Sequence, residues 1–259
     1  MARTIAIAVP KGGTGKTTTT MNLGAALAER GQRVLMVDVD PSGSLSRMLG
    51  QDTVVESSLY SAMTHYLETY DPQLHRTVLH TSIGVDLSPT DVRLNNADTV
   101  LRTALNGQLV LKQLLAPLAA SYDYLLLDTL PYLGILVTNT LVAADEVIIP
   151  MEAEYLATQS VPVMLQHIAQ VRKSGLNPNL RITGILITKA THTTISRQII
   201  EYTRTEFEEH VTVFNTVIPN TVRFTESQAM GKTILAYDPN GKGAQAYRAF
   251  AEEVQRATP

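Results

Sequence analysis

Lys11-Gly12-Gly13-Thr14-Gly15-Lys16-Thr17-Thr18 stands between the apolar run Thr4–Val9 and a helical pattern that reads from Gly15 to Glu29. A strand, a glycine turn and a helix in that order make a ready anion site. The amides of the turn and of the helix N-terminus point at the ligand, and the helix dipole favours negative charge there. Gly12, Gly13 and Gly15 let the backbone curl close to a phosphate chain. Lys16 is placed to reach the β- and γ-phosphates, and Thr17 to offer its hydroxyl to Mg²⁺. The ordinary phosphate-loop pattern has a glycine where Pro10 stands. The run instead fits the deviant form Lys-Gly-Gly-x-Gly-Lys-Thr, with Lys11 as an added lysine at its start.

Outward from this loop, short aliphatic runs alternate with helix-length segments. Strands are expected at Thr4–Val9, Arg33–Val37, Gly84–Leu87, Tyr122–Leu127, Glu146–Ile149, Arg181–Thr188 and Val211–Val217. Their near-continuous apolar character fits strands buried on both faces. After the first helix, which Gly31 closes, helices are expected at Leu156–Lys173, Thr194–Glu209 and Gly243–Arg256. Gln51–Ser82 reads as helix and loop inserted before the third strand. The fold class is therefore α/β: a doubly wound, mostly parallel sheet with helices on both faces, of the deviant Walker-A phosphate-loop class. With no Pro/Gly/Ser-rich linker and no internal repeat, residues 1–259 read as a single domain.

Asp38 and Asp40 follow the second strand, at the strand end where open α/β sheets bind ligands. Asp128 ends the run Leu125-Leu126-Leu127. Thr17, Asp40 and Asp128 are the candidate Mg²⁺ residues, Asp128 acting through the metal's water shell. Phosphoryl transfer needs mainly positioning and charge neutralisation, so Lys11, Lys16 and Asp40 are the candidate catalytic set, with Asp38 in support. An aspartate before Pro41 also closes an Asx turn unaided.

Composition sets the outer limits. The 259 residues are 44% hydrophobic and 17% charged, with a net charge of −3, so binding to nucleic acid or anionic lipid has to come from a local patch. The absence of cysteine removes disulfides and cysteine-held iron–sulfur clusters. No stretch approaches the ~18 apolar residues of a spanning helix, and no signal peptide is evident, so a soluble chain is expected. The six histidines (His65, His75, His80, His167, His192 and His210) show no metal-ligand spacing beyond the chance pair His75 and His80.

The chain resembles the deviant Walker-A ATPases of the ParA/MinD superfamily over nearly its whole length, and most of all the ParA branch. Beside the loop, the resemblance is carried by Val34-Leu35-Met36-Val37-Asp38-Val39-Asp40-Pro41, by Tyr122-Asp123-Tyr124-Leu125-Leu126-Leu127-Asp128, by Ala144–Pro150 and by Ile218-Pro219 through Tyr237-Asp238-Pro239. It implies ATP hydrolysis with Mg²⁺, controlled by Asp40. It also implies an ATP-bound homodimer in which Lys11 reaches the partner's phosphates. Adenine would lie against Thr188, Lys189, Ile218, Pro219 and Asn220, with Thr14 and Thr18 completing the phosphate-binding run.

The nitrogenase-type reductases of the superfamily need cysteines. MinD relatives carry a basic amphipathic C-terminal helix, whereas the tail here holds Glu252 and Glu253, so no membrane contact is expected. Larger partition ATPases carry a DNA-reading domain before the loop, which here begins at residue 11. The small ParA type remains: cytoplasmic, associated with the nucleoid through sequence-independent DNA contacts, and released when a ParB-like or McdB-like adaptor stimulates hydrolysis. Arg197, Arg223, Lys232, Lys242 and Arg248 are the candidate DNA contacts, although Arg197–Arg256 holds 7 Lys and Arg against 8 Asp and Glu. The chain departs from the usual partition pattern at Pro10, Ser42, Ser44, Leu130 and Glu152, the last standing where glutamine is common. Those departures leave the cargo open, with a carboxysome positioned by an McdA-like ATPase among the candidates. A metabolic ATP-dependent ligase or synthetase on the same nucleotide-binding fold is the alternative.

Overall fold

In the computed structural model, which describes residues 2–51, 57–154, 158–207, 209 and 211–257, the apolar runs become one sheet. Its strands are β1 (Arg3–Ile7), β2 (Val34–Asp38), β3 (Leu79–His80), β4 (Asp86–Ser88), β5 (Tyr124–Asp128), β6 (Glu146–Glu152), β7 (Arg181–Ala190) and β8 (Val213–Pro219). The order is β3-β4-β2-β5-β1-β6-β7-β8, parallel throughout except for the short β3–β4 pair. All seven expected strands are present within a few residues. The added β3 has only two residues, too few to show a period. β8 runs past its expected end through Ile218 and Pro219, which an edge strand tolerates because proline has no amide to pair.

Helices cover both faces, as the runs demanded. On one side lie α1 (Lys16–Glu29), α2 (Ser44–Met48), α10 (Ile234–Tyr237) and α11 (Lys242–Arg256), packed on Ile5, Ile7, Met36 and Leu126. On the other lie α3 (Leu59–Thr69), α4 (Ala97–Thr103), α5 (Val110–Leu115), α6 (Ile135–Ala143), α7 (Ser160–Lys173) and α8 (Thr194–Phe207), packed on Ala6, Leu35, Leu127 and Ile149. Short α9 (Val222–Ala229) follows β8. Helix α1 sits close to the sheet at Gly24, where a Cβ would meet Met36 Sδ at 3.0 Å and Leu126 Cδ1 at 3.4 Å.

Strand periodicity decides which carboxylates meet. Asp38 shares the face of Val34 and Met36, and Asp128 the face of Tyr124 and Leu126, so both end their strands beneath α1. They are direct partners in the β2–β5 register. Glu152 and Thr188 hold the same parity on β6 and β7 and are themselves register partners.

Within Gln51–Ser82, α3 starts at a reciprocal capping box between Ser58 and Ser61. The expected helix start at Leu156 and the histidine at 210 lie outside the described residues, as do 52–56 of this insertion. In α7 the apolar stripe Val161, Met164, Ile168 and Val171 is buried as core. The apolar stripe of α11 is likewise committed inward through Tyr247, Phe250 and Val254. No helix among the described residues is long and apolar enough to cross a membrane.

Candidate nucleotide site

The loop after β1 turns at Gly13 (φ +80°) and Gly15 (φ +86°), a region that side-chain-bearing residues rarely enter. Gly15 caps α1 with no side-chain bond, so the first amides of the helix are left for a ligand. Lys16 is buried, and its Nζ donates to the Lys11 carbonyl at 2.8 Å, folding the loop back on itself. Burial lowers the Lys16 pKa, while the charges of Asp128 and Asp40 work against that fall.

The carboxylates differ in their surroundings. Asp38 accepts from the Ser46 amide and hydroxyl at 2.9 and 2.7 Å, which ties α2 to the end of β2. Asp40 is half-buried beside the loop, and its Oδ1 accepts from the Ser42 amide at 2.8 Å, so the Asx turn is formed as well. Asp128 Oδ1 accepts from Thr20 at 3.2 Å, and the Thr17 hydroxyl lies against the same carboxyl. Its Oδ2 is buried with no hydrogen-bond partner of good geometry. Burial, then the neighbouring Asp38, pushes Asp128 up to about 8, and burial pushes Asp38 up to about 7. Two buried carboxylates side by side resist double ionisation.

An unsatisfied carboxylate oxygen beside a threonine hydroxyl suits Mg²⁺, and Thr17 and Asp128 are the residues that could hold it. Bound there, the ion would neutralise charge on the β- and γ-phosphates. Among the described residues no cluster of three or more His, Cys, Asp or Glu forms a separate metal site.

Lys11 lies at the mouth of the loop. Its Nζ is 3.6 Å from Glu152 Oε2, and Lys189 Nζ is 2.6 Å from the other oxygen of the same carboxylate. Lys189 takes the left-handed backbone region, φ +52°, which few non-glycine residues adopt.

From the loop a cleft of about 410 Å³ runs beside Thr17, Thr18 and Asp40 to the ends of β7 and β8. All five residues expected to hold adenine line it. Thr188, however, turns its hydroxyl to the Thr14 carbonyl at 2.9 Å and so braces the loop. Ile218 and Pro219 belong to the strand, and only Asn220 to the loop after it. The far wall adds Phe224, Thr225, Gln228 and Tyr247, which sequence reasoning missed. The one available signal was Phe224, a lone aromatic in an otherwise polar helix. Three polar contacts fasten this wall to α1: Gln228 to Thr18 at 2.8 Å, Tyr247 to Thr19 at 3.2 Å and the Ile234 amide to Asn22 at 2.8 Å.

The model of an AAA domain family matches residues 2–182. The sporulation initiation inhibitor protein Soj of Bacillus subtilis is 38% identical over 256 residues, which is 98% of either chain. The chromosome-partitioning ATPase Soj of Thermus thermophilus is 40% identical, over 97% of this chain and 95% of that one. The chain belongs to the ParA/Soj family of deviant Walker-A ATPases. Among solved structures, a Mycobacterium smegmatis protein called cobyrinic acid a,c-diamide synthase, holding ADP and magnesium, superposes with TM-score 0.85 at 34% identity, over 99% and 95% of the two chains. A variant of Cyanothece McdA complexed with ATP gives TM-score 0.84 at 25% identity, over 99% and 96%.

Within this ParA/Soj-family chain the five candidate DNA contacts are not gathered into one stripe. Arg223 and Lys242 line a depression with His192 and Asn220, and Arg197 donates to the His192 carbonyl at 3.4 Å. Arg223 is also paired with Glu226 at 2.9 Å. Arg248 is held elsewhere, by Glu29 at 2.7 Å at the end of α1. Lys232 is exposed in the turn after α9.

Proposed function

We propose that residues 1–259 act as one ParA-type unit, a Mg²⁺-dependent ATPase that pairs with a second copy when ATP is bound. The pair binds duplex DNA without sequence preference and lets go when an adaptor of the ParB or McdB kind stimulates hydrolysis, distributing a chromosome, plasmid or protein cargo. The protein then works in the cytoplasm, on the nucleoid. The placement of Lys11 carries this reading. Its ammonium stands outside the cleft lining, 3.6 Å from Glu152, while Lys16 folds back into the loop. A lysine held there suits contact with phosphates presented from outside, where charge meeting charge in a dry interface is worth most. Thr17, Asp40 and Asp128 then serve Mg²⁺ and the attacking water, Asp38 holds Asp40's loop, and Thr188, Lys189, Ile218, Pro219 and Asn220 flank the base. Arg223 and Lys242, which share one depression, and Arg197, bonded to the His192 carbonyl at its edge, are the favoured DNA contacts; Lys232 and Arg248 are secondary.

The test measures mass in solution and binding to arbitrary duplex DNA with ATP, ADP or no nucleotide. ATP alone should give dimers and salt-sensitive DNA binding. Lys11→Ala should remain monomeric with ATP, and Asp40→Ala should stay dimeric and DNA-bound for longer. A wild-type protein that stays monomeric in saturating ATP and Mg²⁺ would falsify the reading.

A second reading is supported by the Mycobacterium smegmatis structure, whose name is that of a synthase and whose length is nearly the same. A carboxylate-activating synthetase of that length would need no added domain. It predicts turnover that depends on a small carboxylate substrate and is indifferent to DNA.

A further inference from the structure

Glu152 is a buried carboxylate held by two cations, and the two are held unequally. Lys189 approaches Oε1 at 2.6 Å, whereas Lys11 stands 3.6 Å from Oε2. A carboxylate with one lysine would become an uncompensated buried charge if that lysine left, and the loss would be prohibitive. With two, the looser lysine can leave while the closer one still neutralises the site. The geometry marks Lys11 as the one free to go. The strained backbone at Lys189 (φ +52°) brings the second ammonium to this carboxylate. Glu152 Oε1 also stands only 3.8 Å from where a Cβ on Gly13 would lie, so the carboxylate borders the phosphate loop itself.

We propose that Glu152 is a positioning residue that keeps Lys11 on its own subunit until a partner's third phosphate displaces it. This rests on the dimerising reading above and adds the element that makes dimerisation selective for ATP. To cross to the partner, Lys11 exchanges a carboxylate for a phosphate. The γ-phosphate of ATP offers enough added charge for that exchange, and the diphosphate end of ADP does not. Glu152 therefore sets both the protein concentration at which pairs form and the gap between the two nucleotides.

The experiment compares wild type, Glu152→Gln, Lys189→Asn, Lys11→Ala and the Glu152→Gln/Lys11→Ala double variant by sedimentation, at saturating nucleotide and Mg²⁺. The glutamine is isosteric and uncharged. It should lower the concentration needed for ATP dimers by roughly fivefold and make ADP dimers detectable, narrowing the ATP-to-ADP gap. Asparagine tolerates the left-handed backbone, so Lys189→Asn should act oppositely. It leaves Glu152 dependent on Lys11 and raises the threshold. The double variant should match Lys11→Ala. An unchanged threshold and gap in Glu152→Gln, with wild type dimerising normally, overturns the role of Glu152 and leaves the dimerising reading intact. A gain that persists without Lys11 overturns it too, by making the effect a general change of interface charge. A wild type that stays monomeric with ATP removes both.

Discussion

The two ends of β6 carry glutamates on the same face, and their surroundings differ in kind. At the start of the strand, Glu146 takes a bidentate pair from Arg3 at 2.9 and 2.8 Å, with Thr183 at 2.7 Å and Arg181 at 3.3 Å. Burial alone would raise its pKa, but these bonds hold it below the usual range. At the far end of the sheet, Glu152 shares two lysines unequally, and Asp128, two strands away on β5, keeps a buried oxygen with no hydrogen-bond partner of good geometry. Burial with full compensation locks a strand end in place. Burial with incomplete compensation stores a demand for charge that a ligand can meet, which is how a binding site differs from a structural clamp.

The contrast breaks most visibly at the two cations. Lys16→Ala should reduce ATP hydrolysis by about 10²–10³-fold, as expected for loss of a main stabiliser of developing phosphate charge, in a steady-state phosphate-release assay. Arg3→Ala should do the reverse. It should lower unfolding free energy by about 3 kcal/mol in urea titration, with hydrolysis at saturating ATP little changed.

The pH dependence sharpens the same point. Asp38 and Asp128 have raised folded-state pKa values, so the nucleotide-free native state binds more protons than the unfolded chain between about pH 4 and pH 8. Stability should fall as pH rises through that window, by at most about 1.4 kcal/mol per pH unit for one proton. Asp128→Asn should flatten the slope. Glu146 acts in the opposite sense, its contribution being lost only as pH drops below the ordinary carboxylate range. Urea midpoints at pH 5 and pH 8 read the two aspartates, and midpoints at pH 3 and pH 5 read Glu146. The smallest effect is expected at the C-terminal wall. Gln228→Ala removes one hydrogen bond to Thr18 and should cost about 1 kcal/mol in stability.

Much of this was legible in the residues. Gly13 and Gly15 in sequence before Lys16 specify a turn that other residues cannot make. Alternation along Val34–Asp38 and Tyr124–Asp128 fixes which side chains share a face. What the chain alone hid was long-range. Glu152 was visible only as an unusual residue, since nothing local links it to Lys11 or Lys189. The cleft wall from Phe224 to Gln228 reads as an ordinary polar helix until α9 is folded against α1. The five basic residues were equivalent as solvated charges, and only packing separated Arg248, engaged by Glu29, from the three that gather near His192.

The sequence by itself determined the parallel sheet, the phosphate loop and the carboxylates at the strand ends, because strand period and glycine chemistry act over neighbouring residues. Tertiary structure alone decided which charges are compensated, because that depends on side chains brought together from β1, β6 and β7. A short-range pattern can place an ionisable group at a site; only its distant neighbours decide how strongly it is held.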